Sequence, residues 1–256
     1  MRQTVGLETV CAVSSFCFIG GMTSRYDGPT DPSSLPGGAS PFRAKAKSMQ
    51  DAHNPLPNAQ QVVDYWLDDS ITAPAAAFAQ KGRWYRGGAE VDREIHEQFA
   101  PAVERALADC LSGWTKSSVG VLGLVILLDQ FTRTLFRGTA GAFGGDLHAF
   151  KVAETAIANG LHRDLPVPGR IFLYHPFHHA EDVAAQDRGI KLVKKMLNEY
   201  PAEWHAYIQQ SVEGFTRHRN IVATFGRFPH RNAVLGRKTT MEEQAYLDDG
   251  ADRFGQ

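Results

Sequence analysis

From Asn58 onward apolar residues return every three or four positions, the spacing that gathers them on one face of an α-helix. In "NAQQVVDYWLDD", Val62, Tyr65 and Trp66 share a face behind an Asn58 cap. "AEVDREIHEQFAPAVERALADCLSG" carries Ile95, Phe99, Val103 and Leu107 at every fourth position. Its Pro101 predicts a kink or a restart, and Gly113 a stop. "SSVGVLGLVILLDQFTRTLFRG" is apolar on every side over its first half, which predicts a central helix buried all round. "GGDLHAFKVAETAIANG" predicts a helix from a cap at Asp146 to Gly160.

In "HPFHHAEDVAAQDRGIKLVKKMLNEYP", Pro176 suits a first helical position and Pro201 a stop, with Val183, Ile190, Val193 and Leu197 as the buried stripe. "EWHAYIQQSVEGFTRHRNIVATFG" aligns Trp204, Ile208, Val212, Phe215 and Val222, and "TMEEQAYLDD" starts a last helix at a Thr240 cap. No stretch alternates as a strand would. The predicted class is all-α. Its short connections favour stacked antiparallel helical hairpins, without the roughly 34-residue period of a regular repeat solenoid.

The first part of the chain reads differently. "SRYDGPTDPSSLPGGASPFRAKAKSMQDAHNPLPN" is rich in Pro, Gly and Ser and lacks a helical period, so residues 1–57 are expected to be a disordered leader. Met49 is an alternative start. One α-helical domain then fills residues 58–250, and 251–256 form a tail. The opening "MRQTVGLETVCAVSSFCFIGG" has the outline of a signal peptide, but Glu8 interrupts its apolar run and no clear cleavage site follows.

Among the 256 residues are 27 basic and 28 acidic side chains, a balance that argues against a broad nucleic-acid surface. No run approaches the ~18–20 apolar residues that a membrane span needs, so no membrane partner is expected. The three cysteines, Cys11, Cys17 and Cys110, make neither a CxxC pair nor a disulfide framework, which suits a reducing, cytoplasmic location.

Three polar clusters interrupt the apolar pattern. Asp129 and Arg133 stand one helical turn apart at the end of the buried run, with Arg137 beyond. "YHPFHHAEDVAAQ" supplies His175, His178, His179, Glu181 and Asp182. If Pro176 opens the helix, the carboxylates favour its positive end, and His178 and Asp182 fall at i and i+4, a spacing that can hold a metal. That signal lacks the HExxH pattern, so neither a metal nor any other cofactor is expected. The third cluster is His218 with the turn "FGRFPHRNAVLGR", which holds Arg227, His230, Arg231, Asn232 and Arg237 among apolar anchors. Buried guanidinium groups need partners, either the carboxylates of Asp129, Glu181 and Asp182 or an anionic ligand. Arg231 is expected at the centre of such a pocket.

The blocks "LLDQFTRTLFRGTAGAF", "FLYHPFHHAEDVAAQD" and "RHRNIVATFGRFPHRNAVLGRKTTMEEQAYL", with the Trp84 region, resemble a mainly bacterial family, domain of unknown function family 924, over roughly Gln61 to Leu247. The resemblance implies a helical fold similar to tetratricopeptide-repeat proteins and no established activity. Asp129, Arg133, Arg137, His179, Glu181, Asp182, His218, Arg227, His230, Arg231, Asn232 and Arg237 match the family pattern. His175 and His178 do not, and Thr132-Arg133-Thr134 stands where the family usually has Pro-Arg-Asn.

Two functions fit these readings. One is a polar pocket for a small anionic molecule, with His179 or His230 placed for acid–base work. The other is a helical scaffold for a protein or peptide, its buried charges purely structural. No nucleophile motif, phosphate loop or cofactor fingerprint chooses a reaction.

Overall fold

The computed structural model describes residues 56–251 and Phe254, so the expected leader lies almost wholly outside the described residues. Within them there are helices and turns and no strand, in agreement with the all-α prediction.

Helix α1 (Ala59–Leu67) starts at the expected cap: the Asn58 side chain accepts from the Gln61 N–H, and Gln61 returns the bond to the Asn58 N–H. Helix α2 (Pro74–Arg86) begins on proline, whose missing N–H costs nothing at a first position. Helix α3 (Ala89–Leu107) runs unbroken through Pro101, against the expected kink or restart. Pro101 and Glu97, whose carbonyl loses its donor, both lie on the exposed face where water can replace the bond. The helix ends at Leu107, which is partly exposed rather than the last member of the stripe.

The apolar run forms α4 (Ser118–Val125), then a π-helical stretch (Ile126–Phe131), then the short α5 (Thr132–Leu135). Its residues from Gly120 to Asp129 are buried, as their all-round apolarity predicted. Against the expectation that no run approaches a membrane span, the segment Ser118–Leu135 could cross one by length and composition, with mean hydropathy 1.4, but 67% of it is buried inside the fold.

Helix α6 (Asp146–Ala158) departs from prediction at its start. Gly145 occupies the cap position and Asp146 is the first helical residue, its side chain free for other work. Gly160 adopts the left-handed conformation beyond the helix end.

Helix α7 (Val167–His179) is the central element, buried over nearly its whole length and touching α4, α6, α8 and α9. Pro176 lies in its last turn and does not open the following helix. That helix, α8 (Val183–Met196), starts at an Asp182 cap whose Oδ1 accepts from the Ala185 N–H at 2.7 Å. The three histidines therefore sit at the C-terminal end of one helix, while Glu181 and Asp182 lie in the joint to the next. Helix α9 (His205–Phe225) packs on α8, where Gly189 gives Phe177 and Phe215 room. Helix α10 (Met241–Asp248) follows the expected Thr240 cap, closed reciprocally by Glu243. Edge-on contacts of Trp66 with Phe131 and Phe172, and of Trp84 with Phe172, tie α1, α2, α7 and the π-helical stretch into one core. Cys110 is disulfide-bonded, which corrects the reading of the cysteines as unpaired. Cys11 and Cys17 lie outside the described residues.

Gly145 marks where α6 is seated on the π-helical stretch, because a Cβ there would stand 2.1 Å from the Leu128 carbonyl oxygen. Gly145→Ala is expected to cost about 1–3 kcal/mol, the usual penalty of overpacking. Urea unfolding checks it, and an unchanged midpoint would mean that α6 is not held at this contact.

Candidate functional site

Asp129 has no exposed surface, although it carries a charge in the middle of the apolar run. The π-helical stretch turns it toward the end of α7, where the His179 Nδ1 lies 2.7 Å from its Oδ1. Arg133 Nη2 donates to the same oxygen at 3.2 Å and to Asp146 Oδ1 at 2.9 Å. Arg231 Nη1 donates to Asp146 Oδ2 at 3.3 Å, with its guanidinium held between the rings of Phe143 and Phe228 at 4.5 and 4.4 Å. Charges alternate along the chain Asp129, Arg133, Asp146, Arg231.

The chain explains the protonation states. Burial works to raise the Asp129 carboxyl, but His179 and Arg133 beside it hold it well below the usual range. Burial pushes Arg231 down to about 10, with Arg133 acting in the same direction. Burial likewise pushes His179 down to about 3, so near neutral pH the ring is neutral and donates its Nδ1–H to the Asp129 carboxylate.

A second charged group forms from the C-terminal turn. Glu181 accepts from the Phe228 N–H at 2.8 Å and from two nitrogens of Arg237 at 2.5 and 2.9 Å. Arg237 also donates to Asn232, Asn232 donates to Glu243, and Arg227 makes two bonds to Glu243 at 2.6 and 2.8 Å. Hydrogen bonds from Arg227 hold Glu243 down at about 2. This knot fastens the turn to α10 and to the α7–α8 joint.

The structure thus divides the residues singled out from the sequence. Asp129, Arg133, His179, His218, His230 and Arg231 come together around the end of α7, and the last five line a small cavity of about 40 Å3. Arg227, Asn232, Arg237 and Glu181 belong to the knot. Asp182 is spent as a helix cap, and Arg137 pairs with Asp92 in a half-exposed contact. The carboxylate bonded to Arg231 is Asp146, not Asp129, Glu181 or Asp182. Asp146 was missed because a carboxylate opening a helix already has an ordinary explanation.

Beside this charge chain lies a cavity of about 810 Å3. His175, His178, His179 and His218 line one side, and Trp66, Trp84 and Tyr85 contribute aromatic surface. Its wall also carries Lys81, Arg83, Arg86, Arg133, Arg137 and Arg217, against Asp92 and Glu213. Lys81 donates to Gln210 and lies over the Tyr207 ring at 4.8 Å, and burial with Arg217 nearby lowers it to about 8. Lys81, Arg86 and Arg217, on α2 and α9, were not singled out from the sequence, because an isolated cation carries no sign of a site there.

The fold and its site define an all-helical protein with a buried charge chain beside a cationic, histidine-lined cavity. The chain belongs to the family described as bacterial protein of unknown function (DUF924), whose model matches residues 62–251. It is similar to a solved protein of unknown function from Agrobacterium tumefaciens, with 36% identity and a TM-score of 0.63, covering 75% of this chain and 97% of that one. No curated protein matches it.

Asp146→Asn removes the carboxylate that joins two buried arginines and is expected to cost about 3–5 kcal/mol. Arg231→Ala leaves Asp146 paired with Arg133 and is expected to cost about 1–2 kcal/mol. Paired urea unfolding curves test the order, and an Arg231→Ala loss equal to or above that of Asp146→Asn would refute it.

Folded His175, His179 and His230 are lowered to about 4, 3 and 3 by burial, whereas the unfolded residues keep their ordinary value near 6.5. Between those limits the unfolded chain binds more protons. The stabilisation is therefore present above about pH 6.5 and lost as pH falls toward 3. Thermal unfolding followed from pH 7 to pH 5 should show a steady decline in Tm, and a flat profile would contradict the neutral buried rings.

Proposed function

We propose that the protein binds a small anionic ligand, a carboxylate or phosphate compound, in the cavity of about 810 Å3 beside the end of α7. The observation that carries this reading is the imbalance of its wall, six cationic side chains against two carboxylates, with Arg86 and Arg217 in no ion pair among the described residues. A volume of that size suits a ligand of metabolite dimensions. Unpaired cations along a concave wall favour an anion by charge and by hydrogen-bond donors. Of the two histidines expected to do acid–base work, His179 has the Asp129 carboxylate that fixes its tautomer. The reading assigns binding and names no reaction.

A second reading seats an acidic peptide against the same cations. Tyr85, which lines the cavity, and Phe78, two turns away on α2, are both exposed aromatic surface. The tetratricopeptide-like stacking implied by the resemblance would supply a groove.

Calorimetric titration at low salt with inorganic phosphate, citrate and adenosine monophosphate tests the first reading. One of these is expected to bind at a single site and to weaken as salt is added. Lys81→Ala and Arg217→Ala should each weaken it tenfold or more, while Arg188→Ala, in an exposed pair with Glu154, should leave it unchanged. No heat from any of the three, or equal losses in all variants, would remove the proposal. Binding by an acidic peptide alone would favour the second reading.

A further inference from the structure

We propose that His178, His179 and His218 form a site for one divalent transition-metal ion, zinc by preference, with a coordination position left open to the cavity. One ligating atom from each of the three lies within 4.8 Å of the others. Zinc holds imidazole nitrogens at about 2.0–2.1 Å, so the three must close by about an ångström around an ion. All three side chains line the cavity, which leaves a fourth position reachable by water or by a bound anion.

The surroundings are those of metal ligands. His179 gives its Nδ1–H to the buried Asp129 carboxylate at 2.7 Å, and His218 gives its own to the Gly214 carbonyl at 3.1 Å. Each bond fixes the tautomer that leaves Nε2 with a lone pair, the outer arrangement typical of ligating histidines. His178 supplies a further, independent sign. It is 8% exposed, yet its Nδ1 has no hydrogen-bond partner. An unsatisfied buried polar group is costly, and coordination of the ion through Nδ1 would give that atom a partner.

The groups facing the cluster set limits. Asp129 favours a cation. Arg133, Arg231 and the neighbouring His175 work against one, although Asp129 and Asp146 offset the two arginines. The rings of His178 and His218, 3.6 Å apart centre to centre, must turn edge-on to share an ion. The sequence reading weighed His178 with Asp182 and expected no metal, because that pair lacks the HExxH pattern and His175 and His178 depart from the family pattern. The end of α7 separates those two, and the residue completing the trio comes from α9 instead.

The test needs no anion, so it stands apart from the preceding proposal. The full chain, stripped with a chelator and kept in phosphate-free buffer, is titrated with cobalt(II) while visible absorption is followed, and zinc is then added in competition. One equivalent of cobalt with visible bands, displaced by one equivalent of zinc, is expected. His178→Ala and His218→Ala should each weaken binding about 100-fold, and Asp129→Asn about tenfold or more. Circular dichroism shows whether each variant is folded. Should the variants unfold, X-ray absorption of the zinc-loaded natural chain decides, with three imidazole nitrogens expected. Fewer than three nitrogens, less than one equivalent of cobalt, or unchanged affinity in folded His218→Ala would overturn the site.

Discussion

An ionised carboxylate with no exposed surface is the constraint around which this fold is arranged. Asp129 ends a buried run, Gly120 to Leu128, otherwise made of Gly, Val, Leu and Ile, where an unpaired charge would cost several kcal/mol. Everything near it answers that cost. The π-helical stretch re-aims the side chain, α7 ends where His179 can donate, and Arg133 bridges to the start of α6. Because Asp146 must then sit beside Arg133, α6 is drawn so close that only glycine fits at position 145. Arg231 closes the chain from the C-terminal turn, which fixes where that turn can lie.

Much of this was legible before any coordinates. The caps at Asn58 and Thr240 are local chemistry, written in side chains three residues apart, and both form as read. The apolar run from Val119 needed no tertiary knowledge to be placed at the centre. What failed depended on context that a linear pattern does not carry. Pro176 can open a helix, but it can equally sit in a last turn, and the choice shifted three histidines from one helix to another. Pro101 breaks no helix because its orphaned carbonyl faces water. Asp146 was hidden by its own plausibility as a cap. Lys81, Arg86 and Arg217 drew no notice in the sequence, since only the assembled fold shows that α2 and α9 turn them toward a common space.

The arginines that stood out in the sequence serve two different ends. Arg227 and Arg237 are anchored to Glu243 and Glu181 at both ends of their forks and also donate to backbone oxygens. Such a closed set specifies a turn's path and offers little to a ligand. The cations of the larger cavity are mostly long side chains on α2 and α9, tethered at one point or not at all. Density of charge in the sequence therefore marked both the knot and the end of α7, but it did not tell the fully paired arginines from the others.

Hydrogen-bond satisfaction does separate them. Buried polar atoms in native proteins almost always have partners, and the knot around Glu243 and Glu181 obeys that rule. Around the end of α7 the rule is broken repeatedly. Nδ1 of His178 and Nε of Arg231 are buried without partners, and each belongs to a residue lining one of the two cavities. Stability alone would favour apolar residues of similar size at these positions, since replacing unsatisfied polar groups removes a penalty at little loss of packing. Polar atoms held at a cost, facing space that can admit a ligand, are what a binding site needs before its ligand arrives. The two proposed sites, for an anion and for a metal ion, both draw their support from the end of α7.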